Sequence, residues 1–151
     1  MAGELTALED WAGALMAKLT PAARRRAAKA IATALRKSQQ QRIAQQQNPD
    51  GSAYVPRKAQ PARGKRGRIK RKAAMFAKLR TAKYLKARST PNEASVAFVG
   101  RAAAIARVHQ EGATDHVNKR ILARYPRRVL LGFSAADREL VRDVLLAQLA
   151  D

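Results

Sequence analysis

Asn48-Pro49-Asp50-Gly51 is the strongest break in this sequence, and it must stop any helix that reaches it. Proline restricts the residue before it to extended backbone, and glycine supplies the positive φ that a tight turn needs. Upstream, Thr20-Pro21 opens a helix, with proline at the first helical position, where its missing N–H costs nothing. Between these points Ala23, Ala27, Ile31, Ala34, Leu35 and Ile43 recur at helical spacing, while Arg24, Arg25, Arg26, Arg36 and Lys37 cover the rest. The predicted helix runs to about Gln46. Glutamines 39–41 and 45–47 read as its polar face, because Ile43 keeps the apolar period. A preceding helix is announced by Thr6-Ala7-Leu8-Glu9, which has the form of a capping box, followed by Leu8, Trp11, Leu15 and Leu19 on one face.

Beyond the break, Ile69, Ala73, Phe76 and Leu79 predict a helix over about 68–82. Tyr84–Arg88 and Ser95–Val99 alternate like short strands around Thr90-Pro91-Asn92-Glu93, which predicts a β-hairpin. Arg101–Gln110 returns to helical spacing and ends at Gly112. Val129–Phe133 is short, apolar and branched, as a strand would be. Ser134 and Asp137 then cap a last helix carrying Leu140, Val141, Val144, Leu145 and Leu149. Aromatics are only 5% and much of the 46% apolar share is alanine, so the helices are expected to pack closely through small side chains; Trp11 and Phe76 read as core. The expected fold is α+β, with helices packed against a small antiparallel sheet and a long basic loop after the second helix. One domain is expected over 1–151, with a flexible basic insertion at about 52–68.

The formal net charge of +20 bears on partners rather than fold: a domain this small repels itself, so a polyanion or an acidic protein surface is its expected neighbour. The charge is concentrated. From Gly51 to Asn92 there are 14 lysines and arginines and no acidic residue. Pro61, Gly64 and Gly67 make the first part of this window a flexible loop. Its candidate contact residues are Arg57, Lys58, Arg63, Lys65, Arg66, Arg68, Lys70, Arg71 and Lys72, facing DNA phosphates or acidic partner proteins without reading sequence. The alternative is a free nucleic-acid-binding protein, nucleoid- or RNA-associated, which the same charge would serve. The absence of cysteine excludes disulfides and thiolate sites and fits a reducing cytosol. The acidic start, with Glu4, Glu9 and Asp10, is unlike a secretory leader, and no apolar run approaches the roughly 20 residues that span a bilayer. A soluble, intracellular protein with no membrane partner is expected.

Few residues suggest chemistry. Ser38, Ser52, Ser89, Ser95 and Ser134 lack a glycine-flanked nucleophile elbow, and no phosphate-cradling glycine pattern occurs. His109, Glu111, Asp115 and His116 fall close together, but without a cysteine or an i, i+4 histidine pair they read as a helix end and a loop, with His109 set against the helix dipole. The expectation is a protein that is not an enzyme, without metal, cofactor or small-molecule substrate.

Asn48-Pro49-Asp50-Gly51 with Tyr54 and Pro56-Arg57-Lys58, then His109-Gln110-Glu111-Gly112, then Tyr125-Pro126-Arg127-Arg128-Val129-Leu130-Leu131-Gly132-Phe133, form an ordered set. With the opening Leu5–Trp11, this set resembles the phage virion morphogenesis, or tail-completion, family of contractile-tailed phages over essentially the whole chain. The resemblance implies a structural subunit of a small ring, expected to be a hexamer of self-copies at the head-proximal end of the tail, joining tail and filled head and touching other tail and neck proteins. It implies no catalytic residues. The positions that carry it are Asn48, Pro49, Asp50, Gly51, His109, Gly112, Tyr125, Pro126, Arg128, Leu130, Leu131 and Gly132. The role of the basic loop, including contact with genomic DNA, comes from its charge and not from the resemblance.

Overall fold

The computed structural model of the chain describes residues 2–57 and 74–150. In chain order these form α1 (Ala2–Met16), α2 (Pro21–Ala44), the strands β1 (Leu85–Thr90) and β2 (Glu93–Phe98), α3 (Arg101–Glu111), β3 (Thr114–His116), β4 (Leu122–Arg124) and α4 (Ala135–Ala150). The class is α+β: four helices and two antiparallel two-stranded ribbons among the described residues.

Helix α2 is the spine. Thr20 caps it, its hydroxyl oxygen accepting from the Ala23 N–H at 3.2 Å, and Pro21 occupies the first turn. One side buries Ala27, Ala28 and Ala32, whose small side chains let neighbouring elements approach closely. A first core joins α1, α2 and α4 through Leu8, Ile31, Leu35, Val141 and Leu145, with Trp11, Leu15 and Leu19 packed at its margin and Ala94 and Val96 of β2 closing it. The hairpin follows the expected pattern, pairing Leu85 with Phe98 through Thr90 with Glu93. Arg36 ties it to α2 by donating from Nε to the Leu85 carbonyl at 2.7 Å. A second core gathers Ile43, Tyr54, Met75, Ala106 and Leu130, with Phe76 and Phe98 against it.

Four sequence expectations are corrected. Helix α1 begins at Ala2, so Thr6 is not a cap; its hydroxyl bonds back to the Ala2 carbonyl at 2.9 Å, because the preceding residues include good helix formers. The helix expected over 68–82 lies partly outside the described residues, and residues 75–80 form turns instead. Phe76 sits at φ 66°, a left-handed conformation that interrupts a helix, while its ring meets Tyr54 and His109 edge-on at 5.8 and 4.8 Å. The strand expected at Val129–Phe133 does not form: residues 129, 130, 132 and 133 have no regular structure and Leu131 is a bend, and no strand among the described residues lies beside the segment to pair with it. Gln39 is not on a polar face; it is 4% exposed. The ribbon β3–β4, with Thr114 opposite Arg124 and His116 opposite Leu122, was not expected from the sequence.

Candidate functional site

The unpaired segment 128–132 is where the three sequence signatures meet. Buried backbone groups need hydrogen-bond partners, and a segment outside any ladder must find them elsewhere. Here side chains supply them. The Val129 N–H donates to Asn48 Oδ1 at 2.9 Å, and the Val129 carbonyl accepts from the Tyr54 hydroxyl at 3.1 Å. Gln110 Oε1 accepts from both Leu130 and Leu131 N–H, at 2.8 and 3.0 Å, while its Nε2 donates to the Leu131 carbonyl at 2.8 Å. The Leu130 carbonyl accepts from Arg42 Nη2 at 3.0 Å, and the Gly132 N–H donates to Gln39 Oε1 at 3.1 Å. Leu130 itself is fully buried.

Asn48 can reach Val129 because of the turn that follows it. Gly51, at φ 88°, closes the 48–51 reversal, with its N–H on the Asn48 carbonyl at 2.9 Å. Asp50 then accepts from the Ser52 hydroxyl at 2.5 Å and from the Ser52 backbone N–H at 2.8 Å, which together hold its carboxyl below the usual carboxylate range. Pro49 lies so near Gly132 that a Cβ there would stand 2.7 Å from the proline Cγ, so only glycine fits. Gly112 ends α3 in the left-handed conformation, and Arg127 packs directly over it.

Arg128 is 4% exposed and points back across the turn. Its Nε donates to the Val55 carbonyl at 2.7 Å, Nη2 to the Pro56 carbonyl at 3.2 Å, and Nη1 stands 3.2 Å from His109 Nδ1. Tyr125 closes the other face of His109 edge-on at 5.0 Å. At the far side of the basic window, Gln46 grips the Met75 backbone on both its N–H and its carbonyl, at 2.8 and 2.9 Å. Arg57 thus leaves, and residue 74 returns, beside one rigid node. Lys58, Arg63, Lys65, Arg66, Arg68, Lys70, Arg71 and Lys72 lie outside the described residues.

Below the node lies a buried ion pair. Asp137 is fully buried and meets Arg42 Nη1 at 3.1 Å and Gln39 Nε2 at 3.2 Å, with Ser38 donating its hydroxyl to the other oxygen. It also exchanges hydrogen bonds with Ser134, each at 3.0 Å, as the expected cap of α4. Burial pushes the Asp137 carboxyl up, but the bonds from Ser38 and Ser134 and the Arg42 charge together hold it below its ordinary range. Burial raises the Tyr54 hydroxyl to about 12, so it remains a donor.

His109 is not a charge set against the helix dipole. Burial, and then the Arg128 charge, push it down to about 4, so at neutral pH it is an uncharged acceptor facing Arg128. Among the described residues no three His, Asp or Glu side chains converge as metal ligands. The histidine has a pH consequence. Unfolded, it binds a proton near 6.5; folded, only near 4, so between these values the unfolded chain holds more protons. Stability is therefore expected to fall as pH drops from 6.5 towards 4, read as a falling urea midpoint. His109→Asn, which keeps an acceptor but cannot titrate, should flatten that slope.

Sequence reasoning missed Gln39, Arg42, Gln46 and Gln110 as members of the node. Gln39 and Arg42 carried a readable signal. They fall on the buried stripe of α2 with Leu35 and Ile43, and a polar residue on such a stripe must have a buried partner.

A sequence model of the phage virion morphogenesis family matches residues 3–150. Among curated proteins, tail completion protein S of Escherichia phage P2 is 42% identical over 148 residues, covering 97% of each chain. No solved structure matches.

Proposed function

Since the chain belongs to the phage virion morphogenesis family, we propose that it is a structural subunit that completes the tail of a contractile-tailed phage. The observation that carries this reading is the likeness to a tail completion protein along 97% of both chains. The node supports it: residues of all three signatures are engaged in holding one segment and the start of the basic window, whose end Gln46 holds beside them. In this reading the chain forms a ring, a hexamer matching the tail's symmetry, at the head-proximal end, and there mediates joining to the filled head. Its partners are its own copies and other tail and neck proteins, and its place in the mature particle is the tail. The cations between Arg57 and Lys72 lie along the path of the genome or against acidic neighbours, and hold either by displacing counterions without registering sequence.

The test is a phage carrying a nonsense codon in this gene, supplied with the chain from a plasmid. Without the plasmid, lysates are expected to contain full heads and separate tails; infectious particles at normal yield would overturn the reading. With Lys65, Arg66, Lys70 and Arg71 changed to glutamate, infectivity is expected to be lost. Unjoined heads would then identify a docking role for these cations, and joined particles that fail in ejection a role beside the DNA. A purified chain that stays monomeric and binds nucleic acid tightly near physiological salt, in a phage that matures without it, would favour a free nucleic-acid-binding protein.

A further inference from the structure

The ribbon β3–β4 has properties that neither core explains. Every residue from 114 to 122 is exposed, and three of them are large and apolar: Val117 at 54%, Ile121 at 54% and Leu122 at 61%. An isolated two-stranded ribbon is marginal in water, and clustered exposed apolar groups mark an interaction surface. Yet the ribbon is well tied within itself. The Val117 N–H bonds the Ile121 carbonyl at 2.8 Å, and Asn118 Oδ1 accepts from Arg120 and Ile121 N–H at 2.8 and 3.0 Å. Its base is fixed by the Tyr125 N–H on the Ala113 carbonyl at 3.0 Å and by the Gly112 turn. It is an ordered arm with an apolar tip, and it carries Lys119, Arg120 and Arg124 against one acid, Asp115.

The counterpart surface is on the same chain. Apart from the buried Asp137, five of the 11 acidic residues lie on α1 and α4 (Glu4, Glu9, Asp10, Glu139 and Asp143), whereas only Arg138 and Arg142 of the 31 lysines and arginines do. Glu4 pairs with Arg138 and Glu139 with Arg142, which leaves Glu9, Asp10 and Asp143 exposed and without an ion pair among the described residues. Between the two helices runs a shallow groove of about 310 Å³, lined by Ala7, Ala135 and the two ion pairs Glu4–Arg138 and Glu139–Arg142. Glu9, Asp10 and Asp143 lie elsewhere on the same helices, and Leu146 stands 51% exposed on α4. Copies of a chain at +20 repel unless their few acids face a neighbour's cations.

We infer that the β3–β4 arm of one copy seats its apolar, cationic tip on the acidic α1–α4 face of the next. Arm and groove are different patches, so the contact is head-to-tail, the kind that closes into rings. This rests on the ring reading above and names the surfaces that build it.

The chain has no cysteine, so single cysteines report the contact without background. Ala7→Cys and Leu122→Cys are both exposed and should fold normally. Mixing the two purified variants under mild oxidation is expected to give a disulfide-linked dimer containing one of each, and an A7C/L122C chain a ladder of higher species. Val117→Asp with Ile121→Asp, placed in the A7C/L122C chain for the ladder and in the cysteine-free chain for rings, should abolish both while leaving the melting temperature unchanged, because neither side chain is buried. Rings seen by negative stain with no mixed dimer, or with Leu122→Cys bonding only to itself, would overturn this pairing while leaving the ring. Neither rings nor cross-links, in purified protein or on isolated tails, would overturn both.

Discussion

Asp137→Ala is expected to remove about 3–5 kcal/mol, a large share of the chain's folding stability. The carboxylate is fully buried and receives Arg42, Gln39, Ser38 and the Ser134 backbone together. Removing it strands a guanidinium that is itself almost fully buried, and breaking one partner of such a pair costs about 3–5 kcal/mol. Whole domains are stable by only about 5–15 kcal/mol. Arg42 cannot escape by turning towards solvent, because its other nitrogen holds the Leu130 carbonyl at 3.0 Å. Asp137→Asn, which keeps an oxygen acceptor in place, should lose less. Urea unfolding followed by circular dichroism measures both; a midpoint for the alanine variant equal to that of the parent would refute the assignment. The acid limb has its own sign. Folding lowers the Asp137 pKa, so its contribution is present above the unfolded value and disappears as pH falls through the folded one. That loss begins below the window in which His109 acts.

Gln110→Leu is the second large effect. One amide side chain serves three backbone groups, the N–H of Leu130 and Leu131 and the carbonyl of Leu131. Leucine fills similar space and satisfies none of them. At about 1 kcal/mol or more for each buried group left without a partner, the expected loss is about 3 kcal/mol. A domain of this size then melts roughly 6–12 °C lower. Gln110→Glu keeps the acceptor for both N–H groups and loses the donor to Leu131, so its melting temperature should fall between parent and leucine variant. Calorimetry orders the three. A leucine variant as stable as the parent would mean that water replaces the amide and that the segment is not held by it. In the phage, a loosened segment should also release Asn48, Arg128 and the anchored ends of the basic window, so particle yield is expected to fall in the same order as stability.

The legible parts of this chain are those written in local periodicity. Helix α2, its Thr20 cap and its stop at residues 48–51 follow from side-chain spacing and backbone restriction alone. The β1–β2 hairpin follows from alternation around Pro91-Asn92, and the cap of α4 from Ser134 and Asp137. The ordered signatures were equally legible and identified the family that the comparisons show. Where local rules compete, reading fails. Thr6 had the pattern of a cap but lies inside a helix, because nothing upstream of it stops one. Residues 75–80 had a helical stripe, yet Phe76 is held at positive φ between two rings that lie far away in sequence. The nine basic candidates were legible as charge; apart from Arg57 they lie outside the described residues.

By itself, then, the sequence determined the long helix α2 and where it must stop, the helices α3 and α4, the β1–β2 hairpin, and the sign and concentration of the charge, since each depends on neighbours a few positions apart. Only the tertiary structure decided that Val129–Phe133 is an irregular segment and not a strand, that Gln39, Gln110, Asn48 and Arg42 take its backbone hydrogen bonds, and that His109 is uncharged. These depend on groups up to 93 positions apart meeting in a space closed to water, where every polar atom needs a partner.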